Sequence, residues 1–111
     1  MPKVYTLKQN TDFRTAYYRG TVQVHPCLVV YVRKNRFGTV RIGITTGKKI
    51  GKAVQRNRCR RLIREAFRAL SPDVKTGYDL VFVARSATLK KSSTALTAVM
   101  RELLQKAGTL Q

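Results

Sequence analysis

The fold of this chain is decided by residues 48–70, which read KKIGKAVQRNRCRRLIREAFRAL. At about 100° per residue, the apolar members of this segment fall on one side of a helix. They are Cys59, Leu62, Ile63, Ala66, Phe67 and Leu70. The segment therefore predicts a long amphipathic helix from about Lys52 to Leu70, which Ser71-Pro72 ends.

The other side of this predicted helix is strongly basic. It carries Asn57, Arg58, Arg60, Arg61, Arg64 and Arg68, with Arg56 near the border. Arginines four residues apart repel each other by about 0.2–0.5 kcal/mol per pair, and Glu65 is the only acidic residue inside the helix. A solvated face usually mixes both signs, whereas the planar fork of arginine suits bidentate contact with phosphate. We therefore interpret this face as a surface for folded nucleic-acid backbone.

Apolar segments on both sides of the helix predict a sheet. Residues 27–32 and 39–44 precede it, residues 78–84 follow it, and all three are rich in β-branched and aromatic residues. Residues 35–38, which read NRFG, predict a hairpin connection between the first two strands. We also expect a shorter strand at about residues 22–24.

Two further helices are predicted near the ends of the chain. The first starts at Asn10 or Thr11, both good N-caps, and ends at Gly20, with Phe13, Ala16 and Tyr17 on one face. The last runs from about Ser93 to Lys106, with Gly108 as its stop. Its apolar stripe consists of Leu96, Val99, Met100, Leu103, Leu104 and Ala107.

The resulting element order is α-β-β-β-α-β-α. It predicts a single α+β domain over residues 1–111, in which one four-stranded mixed sheet is packed by helices.

The charge of the chain limits what it can bind. Its 111 residues include 23 Lys and Arg but only 5 Asp and Glu, for a net charge of +18. A compact body of that charge repels itself, so we expect a polyanionic partner, with nucleic acid ahead of an anionic membrane. No apolar run approaches the roughly 18 residues that span a bilayer. No apolar stretch follows Met1-Pro2-Lys3 as a signal peptide would require, so we expect a cytoplasmic protein and no membrane partner.

The thiols and the imidazole predict no metal site. Cys27, Cys59 and His25 lie in unrelated segments, and a structural zinc site normally needs four such ligands. A disulfide is also not expected without export signals. We interpret the two cysteines as packed thiols and the histidine as a surface residue.

Catalysis by the protein's own side chains is not predicted. Residues 43–49 follow a strand and precede a helix, like a phosphate-binding loop. However, three residues separate the two glycines instead of four, and Lys49 replaces the Ser or Thr that would hold magnesium. The five acids are dispersed, whereas protein nucleases cluster carboxylates around metals. We therefore expect no catalytic residue and no small-molecule substrate.

Composition alone leaves ribosomal and DNA-binding proteins open, since size and charge suit both. A ribosomal protein often carries an uncompacted basic tail, and none is evident. Helix-turn-helix proteins place a short recognition helix after a tight turn, but the basic helix here follows a strand.

Several motifs resemble the bacterial ribonuclease P protein family. Its signature is similar to Lys48-Lys49-Ile50-Gly51, Arg56-Asn57-Arg58 and Arg60-Arg61-Leu62-Ile63-Arg64-Glu65. Residues 7–13, 41–43 and 79–85 also match, so the resemblance runs in order from about residue 4 to 108. The chain departs from the family mildly, with Lys52 where Asn is common, Cys59 where an aliphatic residue is usual, and Arg60 where Lys is common.

The resemblance implies a site and a function. The helix face with Arg56, Asn57, Arg58, Arg60, Arg61 and Arg64 would meet the catalytic ribonuclease P RNA, and we extend this surface to Lys48, Lys49, Lys52 and Arg68. The positions that match the family's cleft for the 5′ leader of precursor tRNA are Phe13, Tyr17 and Tyr31. Aromatic faces stack on bases with little sequence preference. From the residues alone, Phe13 and Tyr17 are interpreted as helix core ahead of a binding role.

The same resemblance implies how the reaction is shared. The chain would help an RNA enzyme to remove 5′ leaders from precursor tRNA, and the RNA with its Mg²⁺ would carry the chemistry. No cofactor would be bound by the protein alone. The family also implies a left-handed crossover around the long helix, which the usual handedness of such connections does not predict.

Overall fold

The computed structural model describes residues 4–7 and 9–111 of the chain. Met1, Pro2, Lys3 and Lys8 lie outside the described residues, and with them the expectation about a signal peptide.

Five strands and three α-helices form within these ranges. In chain order they are β1 (Val4–Thr6), α1 (Asn10–Arg19), β2 (Thr21–His25), β3 (Leu28–Lys34), β4 (Val40–Thr45), α2 (Ala53–Leu70), β5 (Tyr78–Ala84) and α3 (Ser93–Lys106). Short 3-10 helices at Lys48–Ile50, Ser71–Asp73 and Ser86–Lys90 join some of them.

All five strands belong to one sheet, in the order β1-β4-β5-β3-β2. Strand β4 is parallel to β1 and to β5, while β3 is antiparallel to β5 and to β2. The predicted α+β class and mixed sheet are confirmed, but the predicted count of four strands is wrong. The extra strand β1 has three exposed residues, a segment too short to show a period of two, and it forms by pairing with the free edge of β4.

The predicted hairpin between β3 and β4 is also wrong. Strand β5 lies between them and pairs with both, so residues 35–38 connect strands that are not neighbours. The tight hairpin instead joins β2 to β3, where His25 pairs with Leu28 across Pro26 and Cys27. The residues of a turn indicate only the local connection, and they cannot show that β5, which comes later in the chain, will pair between β3 and β4.

The main core lies between one face of the sheet and helices α2 and α3. Alternate residues of three strands point into it: Leu28, Val30 and Val32, then Val40 and Ile42, then Leu80, Phe82 and Ala84. The apolar stripe predicted for α2 is buried there, except that Leu62 is only half-buried. On α3, Leu96, Met100, Leu103 and Leu104 are buried, whereas Val99 and Ala107 are half-buried.

Helix α1 covers the opposite face of the sheet. It begins at Asn10 and ends at Gly20, as predicted, although Gln9 occupies the N-cap position instead of Asn10 or Thr11. Ala16 is buried with Leu7 and Val81, and Phe13 and Tyr31 pack against this smaller core. The sheet therefore has helices on both faces, with α1 alone on one of them.

Strands β4 and β5 are adjacent and parallel, and α2 connects them. The long basic helix is thus the crossover of a β-α-β unit, as the resemblance implies. Its left-handedness stays a prediction.

Candidate nucleic-acid interface

Helix α2 turns its charged side away from the sheet because its apolar stripe is buried. Ile63 and Phe67 lie in the core. The arginines Arg58, Arg60, Arg61, Arg64 and Arg68 and the amide of Asn57 are exposed, while Arg56 is half-buried. The faces predicted from the helical period are therefore the observed ones.

The arginines of α2 are not neutralised by ion pairs within the described part of the chain. In the part of the chain that the structure describes, none of the ion pairs within 4.0 Å includes an α2 arginine. The side chains of Asn57, Arg60, Arg61, Arg64, Glu65 and Arg68 line an open groove of about 510 Å³. An exposed groove of unpaired guanidinium groups has the chemistry to bind phosphates.

The segment that leads into α2 adds positive charge at the end of the helix where it is unfavourable. Lys48 and Lys49 lie on the preceding 3-10 helix and Lys52 occupies the N-cap position, and all three are exposed. The N-terminus of a helix carries partial positive charge, so lysines there are unfavourable without an anion. The Lys52 amide donates to Gln55 Oε1 at 2.6 Å, which satisfies one free backbone donor. These three predicted residues therefore extend the basic surface beyond the helix itself.

A cleft opens between α1 and the end of β4. It measures about 430 Å³ and is lined by Asn10, Phe13, Arg14, Tyr17, Ile44, Thr45, Thr46 and Arg60. Tyr17 is held over the sheet because its hydroxyl and Thr45 Oγ1 share a hydrogen bond of 2.9 Å. The cleft thus combines aromatic rings, hydroxyl groups and two arginines, a set suited to unpaired nucleotides.

The structure brings the three predicted aromatic residues together, in different roles. Phe13 is half-buried against Gly43, where an added Cβ would lie 2.6 Å from the ring. The Tyr17 and Tyr31 rings meet edge to face, with centroids 4.8 Å apart. Phe13 and Tyr17 line the cleft, whereas Tyr31 stands behind Tyr17 and supports it.

Arg60 joins the cleft to the groove on α2, because it lines both. Its Nε lies 3.4 Å from Thr46 Oγ1, so the guanidinium group reaches from α2 to the end of β4. The two surfaces that the resemblance assigned to different RNAs are therefore continuous at one residue.

Sequence reasoning missed several residues that line the cleft: Asn10, Arg14, Thr45 and Thr46. Arg14 could have been found, because it precedes Tyr17 by three residues and so falls near the aromatic face of α1. The threonines gave no signal, since only tertiary packing brings the end of β4 beside α1.

The described residues contain no candidate metal centre and no candidate membrane-spanning helix. Among residues 4–7 and 9–111, no three or more His, Cys, Asp or Glu side chains are grouped to hold a metal ion. Cys27 and Cys59 are buried and unpaired with each other. None of the helices in those ranges combines the length and the apolar composition needed to cross a membrane.

Comparison with known proteins identifies the family. The family model described as Ribonuclease P matches residues 1–108. The ribonuclease P protein component of Clostridium kluyveri is 45% identical over 107 residues, covering 95% of this chain and 96% of that one. The chain belongs to the ribonuclease P protein family. The ribonuclease P protein component of Symbiobacterium thermophilum is 42% identical and covers 100% of this chain and 97% of its own length.

Solved structures of ribonuclease P proteins have the same fold. The Staphylococcus aureus protein superposes with a TM-score of 0.87 at 29% identity, covering 98% of this chain and 100% of its own. The Thermotoga maritima protein gives 0.73 at 30% identity, with 91% and 92% covered. This chain is accordingly a protein component of ribonuclease P, the enzyme of tRNA processing.

Proposed function

We propose that this subunit binds the catalytic RNA of ribonuclease P through α2 and the 5′ leader of precursor tRNA through the α1 cleft. One observation carries the proposal: the unpaired arginines of α2 continue, through Arg60, into an aromatic cleft. A protein built this way holds two RNAs side by side.

The α2 surface is suited to a folded RNA. Its exposed arginines are fixed on a helix whose other side is buried, so they keep a constant spacing. Each phosphate that they neutralise releases condensed counterions, which drives association at low salt. We assign Lys48, Lys49, Lys52, Arg56, Asn57, Arg58, Arg60, Arg61, Arg64 and Arg68 to this contact.

The cleft is suited to a single-stranded segment of variable sequence. Tyr17 is 37% exposed and offers a ring to an unpaired base, and stacking of this kind tolerates every base. Phe13 forms the half-buried wall and Tyr31 fixes Tyr17 from behind. Mature tRNA lacks the leader, so the cleft favours precursor over product.

The phosphodiester chemistry is proposed to belong to the RNA. Mg²⁺ bound by the RNA would supply the activated water and stabilise the leaving oxygen. None of the described residues that line the cleft is acidic, and Asp12 and Asp79 are both paired with Arg41. The cations of the protein offset phosphate repulsion where the two RNAs meet, which lowers the magnesium concentration that the RNA requires.

Cleavage at low magnesium tests the function as a whole. A bacterial ribonuclease P RNA is assayed on a precursor tRNA with and without the protein. We expect the protein to restore cleavage at the mature 5′ end. RNA that binds the protein tightly but cleaves no faster would favour a general RNA-binding protein instead.

The leader cleft is tested by Tyr17→Ala in the holoenzyme. Loss of one stacked base should weaken binding of precursor tRNA by about 1–3 kcal/mol, with binding of mature tRNA unchanged. Tyr18→Ala is the matched control, because the Tyr18 ring is 84% exposed and does not line the cleft. Both variants are measured with a precursor tRNA that carries a short leader. Equal losses on precursor and mature tRNA would contradict the assignment.

Docking on the catalytic RNA is tested by Arg61→Ala. Loss of one phosphate contact should reduce the slope of log affinity against log salt by about one. Arg101→Ala on α3 removes the same charge outside the groove and should leave the slope unchanged. An unaltered slope for Arg61→Ala would argue against α2 as the docking surface.

A further inference from the structure

A second aromatic site lies on the α1 face of the sheet, in the connection between β3 and β4. Phe37 is 65% exposed there. It lines a pocket of about 280 Å³ together with Asp12, Arg33, Lys34, Asn35, Arg36 and Arg41. Neither the cleft nor the α2 groove includes any of these residues.

Phe37 is held in place by a network of hydrogen bonds centred on the buried Asp79. The Arg41 guanidinium group lies 4.5 Å from the centroid of its ring, so one face of the ring is covered and the other is open. Asp79, which is 1% exposed, accepts from Arg41 Nε at 2.8 Å and from Nη2 at 2.6 Å. Asn35 Nδ2 also donates to Asp79, while Asn35 Oδ1 accepts from the Phe37 amide. The ring is therefore a pre-ordered platform.

Positive charge without an acidic partner surrounds this platform. Arg33 and Arg41 both pair with Asp79 in the register of the sheet. The carboxylate is occupied by Arg41 and Asn35. Among the described residues, Arg33, Lys34 and Arg36 have no acidic oxygen within 4.0 Å. An open aromatic ring beside three free cations has the chemistry to bind an unpaired nucleotide, with the base stacked and the phosphate neutralised.

Helix α1 separates this platform from the leader cleft. It runs across the strands, with Phe13 on Gly43 of β4 and Tyr17 against Tyr31 of β3. The cleft opens beside Thr45, at the end of β4, whereas Asp12 on the other side of α1 lies 3.7 Å from Arg41. The two aromatic sites thus share one face of the sheet, on either side of one helix.

We infer that this platform, formed by Phe37 with Arg33, Lys34 and Arg36, binds leader nucleotides upstream of those in the cleft. The inference rests on the proposed function. We assign the platform to the leader and not to the catalytic RNA, because α2, the proposed contact with the catalytic RNA, packs on the opposite face of the sheet. The leader also supplies unpaired bases, which a stacking platform requires. A long leader would cross α1 to reach Phe37, and a short one would end before it.

The test measures how the effect of Phe37→Ala depends on leader length. Holoenzyme is titrated with precursor tRNAs carrying leaders of about 4 and about 12 nucleotides, within the range of single-strand site sizes, and with mature tRNA. We expect Phe37→Ala to weaken binding of the long leader by about fivefold to a hundredfold. Binding of the short leader and of mature tRNA should be unchanged.

Two further variants separate stacking from charge and from folding. Phe37→Trp keeps an aromatic ring and should restore affinity for the long leader. Arg36→Ala should flatten the salt dependence for the long leader only, whereas Lys75→Ala removes an exposed charge outside the platform and should leave it unchanged.

Each other outcome is decisive. Equal effects of Phe37→Ala at both leader lengths, or no effect, would overturn the inference. Weaker assembly with the catalytic RNA would assign the platform to that RNA and also overturn it. The proposed function is judged separately by Tyr17→Ala on the short leader, which the platform does not reach.

Discussion

Asp79 shows how one buried side chain can organise a surface. It is 1% exposed and accepts three hydrogen bonds, two from Arg41 and one from Asn35. The hydrogen bonds that Arg41 donates to Asp79 raise the pKa of Arg41 above its usual value, against the opposing effect of burial, and the nearby Asp12 also raises it. A buried carboxylate thus fixes a guanidinium group, and that group fixes Phe37.

Removing this carboxylate should destabilise the fold. Asp79→Ala leaves Arg41, whose side chain is 20% exposed, without its main counter-charge. Breaking such a pair costs about 3–5 kcal/mol, to be measured by urea unfolding. Glu102→Ala is the control, because it breaks an exposed pair with Lys106 on α3 that contributes at most about 0.5 kcal/mol. Similar losses in both variants would contradict this account of Asp79.

Cys59 makes stability depend on pH in the alkaline range. Burial raises the pKa of its thiol above the ordinary value of 9.0, against the opposing charge of Arg58. The folded state therefore disfavours the thiolate. The stabilisation is complete below the ordinary thiol pKa and is lost as pH rises through the raised one.

Comparison with Cys59→Val isolates this contribution. The variant keeps the apolar stripe, since Cys59 is fully buried among apolar residues. Between neutral pH and pH above about 9, the wild type should lose more unfolding free energy than the variant. Parallel stability curves for the two proteins would show that the thiol contributes nothing.

At the scale of elements, the width of the cleft depends on how closely α1 approaches β4. Gly43 permits the approach, because an added Cβ would lie 2.6 Å and 2.7 Å from two atoms of the Phe13 ring. Phe13 would then have to move toward the cleft that it lines. Because Gly43 has no side chain, the Phe13 ring can lie close to β4 and form one wall of the cleft.

Gly43→Ala should consequently affect both stability and leader binding. Overpacking of this kind costs about 1–3 kcal/mol, measurable by thermal unfolding, and precursor affinity should fall with it. In Gly47→Ala the new Cβ meets no atom within 4 Å, so its effect on stability should stay within about 0.5 kcal/mol. An unchanged Gly43→Ala protein would mean that α1 can shift without cost.

At the scale of the whole molecule, the chain carries a net charge of +18, and its described residues extend over only 36 × 28 × 22 Å. The screening length is about 30 Å at 0.01 M salt and about 8 Å at 0.15 M. At low salt most charges therefore repel each other across the molecule, and only three ion pairs within 4.0 Å offset this among the described residues.

Salt should accordingly act in opposite directions on folding and on binding. The screening length falls as sodium chloride is raised from about 0.01 M to about 0.15 M. This change should raise the melting temperature of the free protein. Affinity for RNA should fall over the same range, since each counterion released on binding gains less entropy when the surrounding salt is more concentrated. Calorimetry and binding titrations in matched buffers measure the two effects. A melting temperature that falls with salt would show that self-repulsion does not limit stability.

Much of this protein follows from the sequence by itself. A 3.6-residue period over about residues 52–70 predicts α2 and its two faces, and apolar runs predict β3, β4 and β5. The excess of Lys and Arg predicts a polyanionic partner, and the motifs around Arg56 and Arg61 resemble the family that the comparisons show. Each of these features depends either on residues close together in the sequence or on a sum over the whole chain, so it can be recognised from the sequence alone.

The tertiary structure alone decided the rest. Strand β5 inserts between β3 and β4, and β1 pairs with an edge that forms only in the folded sheet. Tyr17 meets Thr45 from 28 positions away, and Arg41 meets Asp79 from 38. Contacts between residues so far apart leave no period in the sequence, because neither residue constrains its own neighbours. The cleft and the Phe37 platform are built from such contacts. Their residues come together only in the folded structure, so the sequence alone could not predict either site.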